Sequence, residues 1–129
     1  MKSRSMRALA GAAVVLAAAG CATQTGLTDV MQRPAERALL DGMRAYEEGQ
    51  YVQAERDLRR ALQTGLASAK DRAGAHKHLA FVYCTSSREA ACDQSFRDAL
   101  AADPEFALGK AEAGHPLWGP VYRRVVAAR

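Results

Sequence analysis

From Pro34 to Asp103 the chain is a succession of apolar stripes at helical spacing, each closed by a residue that ends a helix. After Pro34, a favoured first helical residue, Ala38, Leu39, Gly42, Ala45 and Tyr46 recur three and four apart until Gly49 stops the run. Tyr51 to Thr64 repeats the period with Ala54, Leu58, Ala61 and Leu62, and Gly65 supplies the next stop. Ser68 and Asp71, spaced as a capping box, open a third stretch that places Ala75, Leu79, Val82 and Tyr83 on one stripe and breaks at Thr85 to Ser87. A second box, Ser86 with Glu89, predicts the start of a fourth helix that carries Cys92, Phe96, Ala99 and Leu100 and ends at Asp103 and Pro104. The pattern predicts an all-α fold of two helical hairpins. Residues 105–120 then lose the period and gather two prolines, three glycines and the only tryptophan, before a last helical stretch from Val121 to Ala128.

The two hairpins are alike in sequence. A shift of 38 positions lays Gly42 on Ala80, Ala54 on Cys92, Leu58 on Phe96, Ala61 on Ala99 and Leu62 on Leu100. A glycine in mid-helix costs about 1 kcal/mol relative to alanine, so Gly42 predicts a close helix crossing, placed at Ala54, with Ala80 and Cys92 as the equivalent pair. In the second half, Leu79, Ala80, Tyr83, Cys92, Phe96, Ala99 and Pro104 resemble the tetratricopeptide repeat, a helical hairpin of about 34 residues. The resemblance implies two repeats, residues 35–68 and 73–106, separated by a four-residue insertion. It departs at Leu66, where the family has Pro, and at His76, where it has Trp.

Ahead of these helices, residues 2–7 carry Lys2, Arg4 and Arg7, and residues 8–20 form an apolar run, ALAGAAVVLAAAG, too short to span a bilayer. Ala18, Ala19 and Gly20 lead directly into Cys21. These residues resemble the secretion signal and lipobox of bacterial lipoproteins, departing at Ala18, where the pattern usually has Leu. The resemblance implies cleavage after residue 20, lipidation of Cys21, and attachment to a membrane through acyl chains at about 0.8 kcal/mol per buried CH2. Residue 22 is Ala and not Asp, which by the same resemblance implies the periplasmic face of the outer membrane. The expected organisation is a signal peptide over 1–20, a lipidated tether over 21–33, the two-repeat domain over 34–106, and a C-terminal loop and capping helix over 107–129.

Removing the leader changes the charge picture. The whole chain has 18 basic and 14 acidic residues, a formal net charge of +4, but without Lys2, Arg4 and Arg7 the balance is 15 against 14. So even a charge gives no general pull toward phosphate backbones, and no nucleic-acid partner is expected. With 49% hydrophobic and 25% charged residues the chain reads as one folded domain. His76 and His78 lie about 200° apart on a helix and cannot grip one metal ion together. No nucleophile–base set, paired carboxylates or glycine-rich phosphate loop is apparent. The expectation is a protein without catalytic residues, cofactor, metal or small-molecule substrate.

Cys84 and Cys92 flank the turn between the third and fourth helices. In an oxidising compartment a disulfide across that hairpin is feasible. Buried free thiols at small-residue positions remain a second reading, and metal or redox chemistry a third, although the pair lacks C-x-x-C spacing and further zinc ligands.

The last hairpin of a helical array leaves an apolar face open, and Leu117, Trp118, Val121, Tyr122 and Val125 are the natural residues to cover it. Trp118 and Tyr122 are also of the types that dominate binding hot spots, a secondary partner-binding candidate. The tail EAGHPLWGPVYR, from Glu112 to Arg123, follows a repeat carrying Tyr83, Cys84 and Cys92. In that order the features resemble the small repeat-containing lipoproteins associated with type VI secretion systems, the TssQ family. That resemblance implies an accessory outer-membrane protein that contacts another secretion component, and it carries over no catalytic residue. From the tetratricopeptide resemblance, the first helix of each hairpin lines a partner-binding groove through Leu39, Met43, Tyr46 and Glu47, then Lys77, Phe81, Cys84 and Thr85. A helix or extended apolar segment of a protein in the cell envelope suits that mixed lining. The alternatives are an outer-membrane assembly factor or pilotin-like lipoprotein, and a structural lipoprotein of the cell wall.

Overall fold

The computed structural model describes residues 33–129. The expected leader and the lipidation site Cys21 lie outside the described residues, as does the tether up to residue 32. The described chain is all-α: α1 (Pro34–Glu47), α2 (Tyr51–Thr64), α3 (Ala69–Thr85), α4 (Glu89–Ala102), the single turn α5 (Lys110–Ala113) and α6 (Gly119–Ala127). None of these helices is long and apolar enough to cross a membrane.

α1 and α2 pack as one antiparallel hairpin and α3 and α4 as another. α3 is the central helix, touching α1 and α2 as well as α4, and its buried residues Ala73, Ala75, Leu79, Ala80, Phe81 and Val82 spread over more than one stripe for that reason. α6 packs on α4. The apolar interior divides at α3: Leu39, Leu58, Leu66, Leu79 and Val82 form one half, and Phe81, Phe96, Leu108, Trp118, Val121 and Val125 the other.

Local chemistry accounts for the boundaries. Pro34 opens α1, where its missing N–H is no loss, and Gly49 and Gly65 end α1 and α2 at φ of +73° and +103°, which a side chain would resist. Ser68 Oγ accepts the Asp71 amide at 3.2 Å and caps α3, while Arg72 donates to the Leu66 and Ala67 carbonyls and fixes the loop before it. The start of α4 corrects the expected second capping box. Arg88 is the cap residue, the Ser86 hydroxyl donates back to the Val82 carbonyl at 2.7 Å, and Ser87 turns the chain at φ +59°. Across that turn the Cys84 and Cys92 sulfurs lie at disulfide distance, 2.05 Å. For a loop with a sequence separation of 8, a cross-link contributes about 2.5 kcal/mol by chain entropy.

The helix boundaries follow the shift of 38 positions, which carries α2 onto α4 end for end, and the last residue of α1 onto the last of α3. α3 has 17 residues where α1 has 14, and the extra three lie at its start. Gly42 marks a close crossing as expected, and the atoms nearest to it there belong to Leu58, one turn after Ala54. A Cβ on Gly42 would lie 2.7 Å from Leu58 Cγ and 3.0 Å from the Leu58 backbone nitrogen. Two ion pairs tie elements that are not neighbours in the chain, Arg88 at the start of α4 to Glu55 of α2 at 2.7 Å and Arg124 of α6 to Glu89 of α4 at 2.9 Å.

Two glycines inside helices give a contrasting test. A Cβ on Gly74, in α3, meets nothing within 4 Å. Gly42→Ala is expected to lower the unfolding free energy by about 1–3 kcal/mol through overpacking against Leu58. Gly74→Ala is expected to raise it by up to about 1 kcal/mol through helix propensity alone. Urea titrations of the two variants check both signs.

Candidate functional site

The first helices of the two hairpins, α1 and α3, lie side by side and present the face on which partner-binding residues were expected. On α1, Leu39 is turned into the hairpin core, 7% exposed, while Met43 and Tyr46 are partly buried and stay reachable. On α3, Lys77 is partly buried and Phe81 is only 3% exposed. The expectation that Phe81 lines an open groove is therefore corrected, and the chain's own tail is the cause. Trp118 stacks on Phe81 with ring centroids 4.1 Å apart, and is itself 7% exposed. As a free hot-spot anchor Trp118 is corrected in the same way, since its ring is used inside the chain. Tyr122 stays partly buried, with its ring 5.4 Å from Phe96 and its hydroxyl accepting the Leu108 amide at 3.2 Å.

A run of rings crosses the face. Tyr46 lies 5.6 Å from His78 and 6.0 Å from Phe81, Phe81 carries Trp118, and His115 stacks on Trp118 at 3.4 Å. Aromatic rings thus bridge α1, α3 and the tail in sequence. Charges run alongside them. Glu112 Oε1 accepts Lys77 Nζ at 2.9 Å, while its Oε2 accepts the Gly109 amide at 3.1 Å and closes the first turn of α5. Burial by itself would raise the Glu112 carboxyl, but the Lys77 and Gly109 hydrogen bonds and the neighbouring positive charge outweigh it and hold the group below its ordinary value. The Tyr46 phenol is pushed up, first by burial and then by Tyr51 and Glu112. His78 donates from Nδ1 to the Gly74 carbonyl at 2.8 Å, and burial holds its ring below the ordinary histidine value.

Glu112 and His115 are missed by sequence reasoning. Neither belongs to an apolar period, and the one signal for Glu112 is its place three residues after Gly109, the spacing at which a carboxylate reaches back to a helix's first amide. Glu47 of the expected lining is exposed, and Cys84 and Thr85 are partly buried at the end of α3.

A cleft of about 410 Å³ opens between α2, α3 and α4, with Leu62, Leu79, Tyr83 and Ala91 among its lining. It gathers His76, Ser95 and Asp98, residue types of a hydrolytic relay. The geometry is not that of a relay: His76 Nδ1 stands 4.0 Å from Asp98 Oδ2, Asp98 also accepts Gln94 at 2.9 Å, and no hydrogen bond joins Ser95 to His76 among the described residues. Burial holds His76 below the ordinary histidine value, against the pull of Asp98. The described residues contain no group of three or more His, Cys, Asp or Glu arranged to hold a metal ion.

No family model matches the sequence, and comparison with curated proteins and with solved structures finds no match.

The titrating groups set the acid response. His76 and His78 have folded values below the unfolded 6.5, so the unfolded chain takes up their protons first; stability is whole above 6.5 and falls as the pH drops below it. Glu55, hydrogen-bonded by Arg88, and Glu112 have folded values below 4.5, so their contribution is present above 4.5 and is lost as the pH falls through the lower folded values. Melting temperatures followed from neutral to acid pH are expected to fall in two stages, and replacing both histidines by Gln is expected to remove the first stage and leave the second.

Proposed function

We propose that the chain is a lipid-anchored scaffold on the periplasmic face of the outer membrane, built from two tetratricopeptide-like repeats and serving a type VI secretion system as an accessory component. The observation that carries the scaffold part is the 38-residue register, in which α2 and α4 correspond end for end and Gly42 and Ala80 occupy the same place in their hairpins. Stacked hairpins of this kind present the faces of their first helices to partner segments. The run from Lys2 to Cys21 supports the lipid anchor, and the tail from Glu112 to Arg123 supports the secretion assignment through its resemblance to the lipoproteins of those systems. The protein binds and positions a partner and carries out no reaction of its own.

On this reading the open part of the binding face is the α1 side, around Met43 and Tyr46, with the exposed Leu40 beside it on the same helix. The partner contributes a helix or an extended apolar segment.

The test is affinity capture after crosslinking in the native envelope, with Cys21→Ser and Met43→Glu forms run in parallel. The anchored chain is expected to sediment with outer membrane and to recover type VI membrane-complex or sheath components. Cys21→Ser is expected to move it to the soluble fraction, and Met43→Glu to lose the partner while leaving the chain anchored. Recovery of unrelated envelope machinery overturns the secretion assignment, and recovery of none overturns the scaffold.

A further inference from the structure

The α3 half of the binding face is already occupied, and its occupant is built like a docked peptide. Segment 109–118 lies against α3, with Glu112 on Lys77 at 2.9 Å and Trp118 on Phe81 at 4.1 Å between ring centroids. From Gly109 to Leu117 no residue is buried; Trp118 is the first. Apart from Glu112 Oε1, which meets Lys77, three of its polar contacts are made inside the tail. The Gly109 amide donates to Glu112 Oε2 at 3.1 Å, the Trp118 indole N–H donates to the Glu112 carbonyl at 2.9 Å, and the Gly119 amide donates to the His115 carbonyl at 2.8 Å. Lifting the segment off α3 breaks none of these bonds.

The tail also has a separate anchor. α6 buries Val121 and Val125 against the second core and pairs Arg124 with Glu89 at 2.9 Å and Asp93 at 3.7 Å, both on α4. Leu108, before the segment, is buried and bonded to Tyr122. Both ends thus have holds of their own besides the Lys77 and Phe81 contacts. Beside the segment, α3 continues as an open surface: Lys70, Gly74 and Lys77 line a hollow of about 270 Å³ with Phe106 and Ala107, and nothing stands within 4 Å of where a Gly74 Cβ would be.

We propose that Lys77 and Phe81 form a recognition site for a partner segment presenting a carboxylate and, six residues further along its chain as Trp118 follows Glu112, an aromatic ring, and that residues 109–118 are the resident placeholder that such a segment displaces. The chemistry is read from the occupant. Lys77 Nζ lies 2.9 Å from the Glu112 carboxylate and 5.7 Å from the Phe81 ring centroid, so it can hold an anion while it stays near an aromatic surface. A tethered occupant competes at an effective concentration on the order of millimolar, so the partner must add contacts that the placeholder lacks. Met43 and Tyr46, on the neighbouring helix, are placed to supply them. The proposal rests on the reading of the α1–α3 face as the partner-binding face and adds the ligand's chemistry to it.

Trp118 is the only tryptophan, so its fluorescence reports the placeholder directly. In the full chain in mild detergent, Glu112→Lys is expected to raise acrylamide quenching of Trp118 at least twofold, and adding Lys77→Glu is expected to reverse the rise. In a second measurement the seat is emptied by Glu112→Ala with Trp118→Ala, and a labelled peptide of residues 109–118, GKAEAGHPLW, is offered in trans. The emptied chain is expected to bind it at least tenfold more tightly than the unaltered chain, and Lys77→Glu is expected to abolish that binding until the peptide's glutamate is replaced by lysine. Quenching unchanged by Glu112→Lys overturns the proposal whatever the folding of the Trp118 variant. So does an emptied chain with a native helical spectrum that takes up no peptide. Both measurements use purified chain, so their failure leaves the envelope capture standing, and failure of the capture leaves them standing.

Discussion

The contact on which the arrangement turns is the stack of Trp118 on Phe81. Phe81 belongs to α3, the helix that touches α1, α2 and α4, and its ring also meets Phe96 of α4 at 6.2 Å and Tyr46 of α1 at 6.0 Å. A large ring on the first helix of a terminal hairpin would otherwise face water. Covering it with an indole removes apolar surface from both partners and adds an aromatic pairing contribution of about 0.5–1.5 kcal/mol. The tail's remaining geometry follows from seating that indole: a single turn at α5, a reversal through His115 and Pro116, and a tight entry to α6, where a Cβ on Gly119 would lie 2.5 Å from the Ala113 carbonyl oxygen.

Beneath that contact lies a scaffold set by small residues. Gly42 admits Leu58 so closely that the α1–α2 crossing has no room for a methyl group. Ala80 and Cys92, at the equivalent places in the second hairpin, are fully buried. Close crossings fix the geometry of each hairpin, and the shared 38-residue register gives both the same helix lengths from that crossing onward. The extra turn at the start of α3 lies upstream of the crossing, where it lengthens the helix without disturbing the packing.

Most of the helical layout was legible because it is written in local chemistry: Pro34, Gly49, Gly65 and Ser68 act through their own backbone geometry and mark boundaries without help from distant residues. The start of α4 was not legible in the same way. Ser86 and Glu89 have capping-box spacing, but the Ser86 hydroxyl finds the Val82 carbonyl of the helix just ended, and the chain reverses through Ser87 instead. The candidate face was half legible. Periodicity places Met43, Tyr46, Lys77 and Phe81 on first-helix faces, but period carries no information about a nonperiodic segment folding back over one of them. Glu112 and His115 act only through that fold-back, so their roles emerge in three dimensions alone.

The most direct test of this account is a double-mutant cycle on the stack, with Phe81→Leu, Trp118→Leu and the pair together measured by urea unfolding. A coupling of about 0.5–1.5 kcal/mol between the two positions is the predicted result. Additive effects, with coupling below about 0.3 kcal/mol, would mean that the tail is not seated on α3 and would contradict the account.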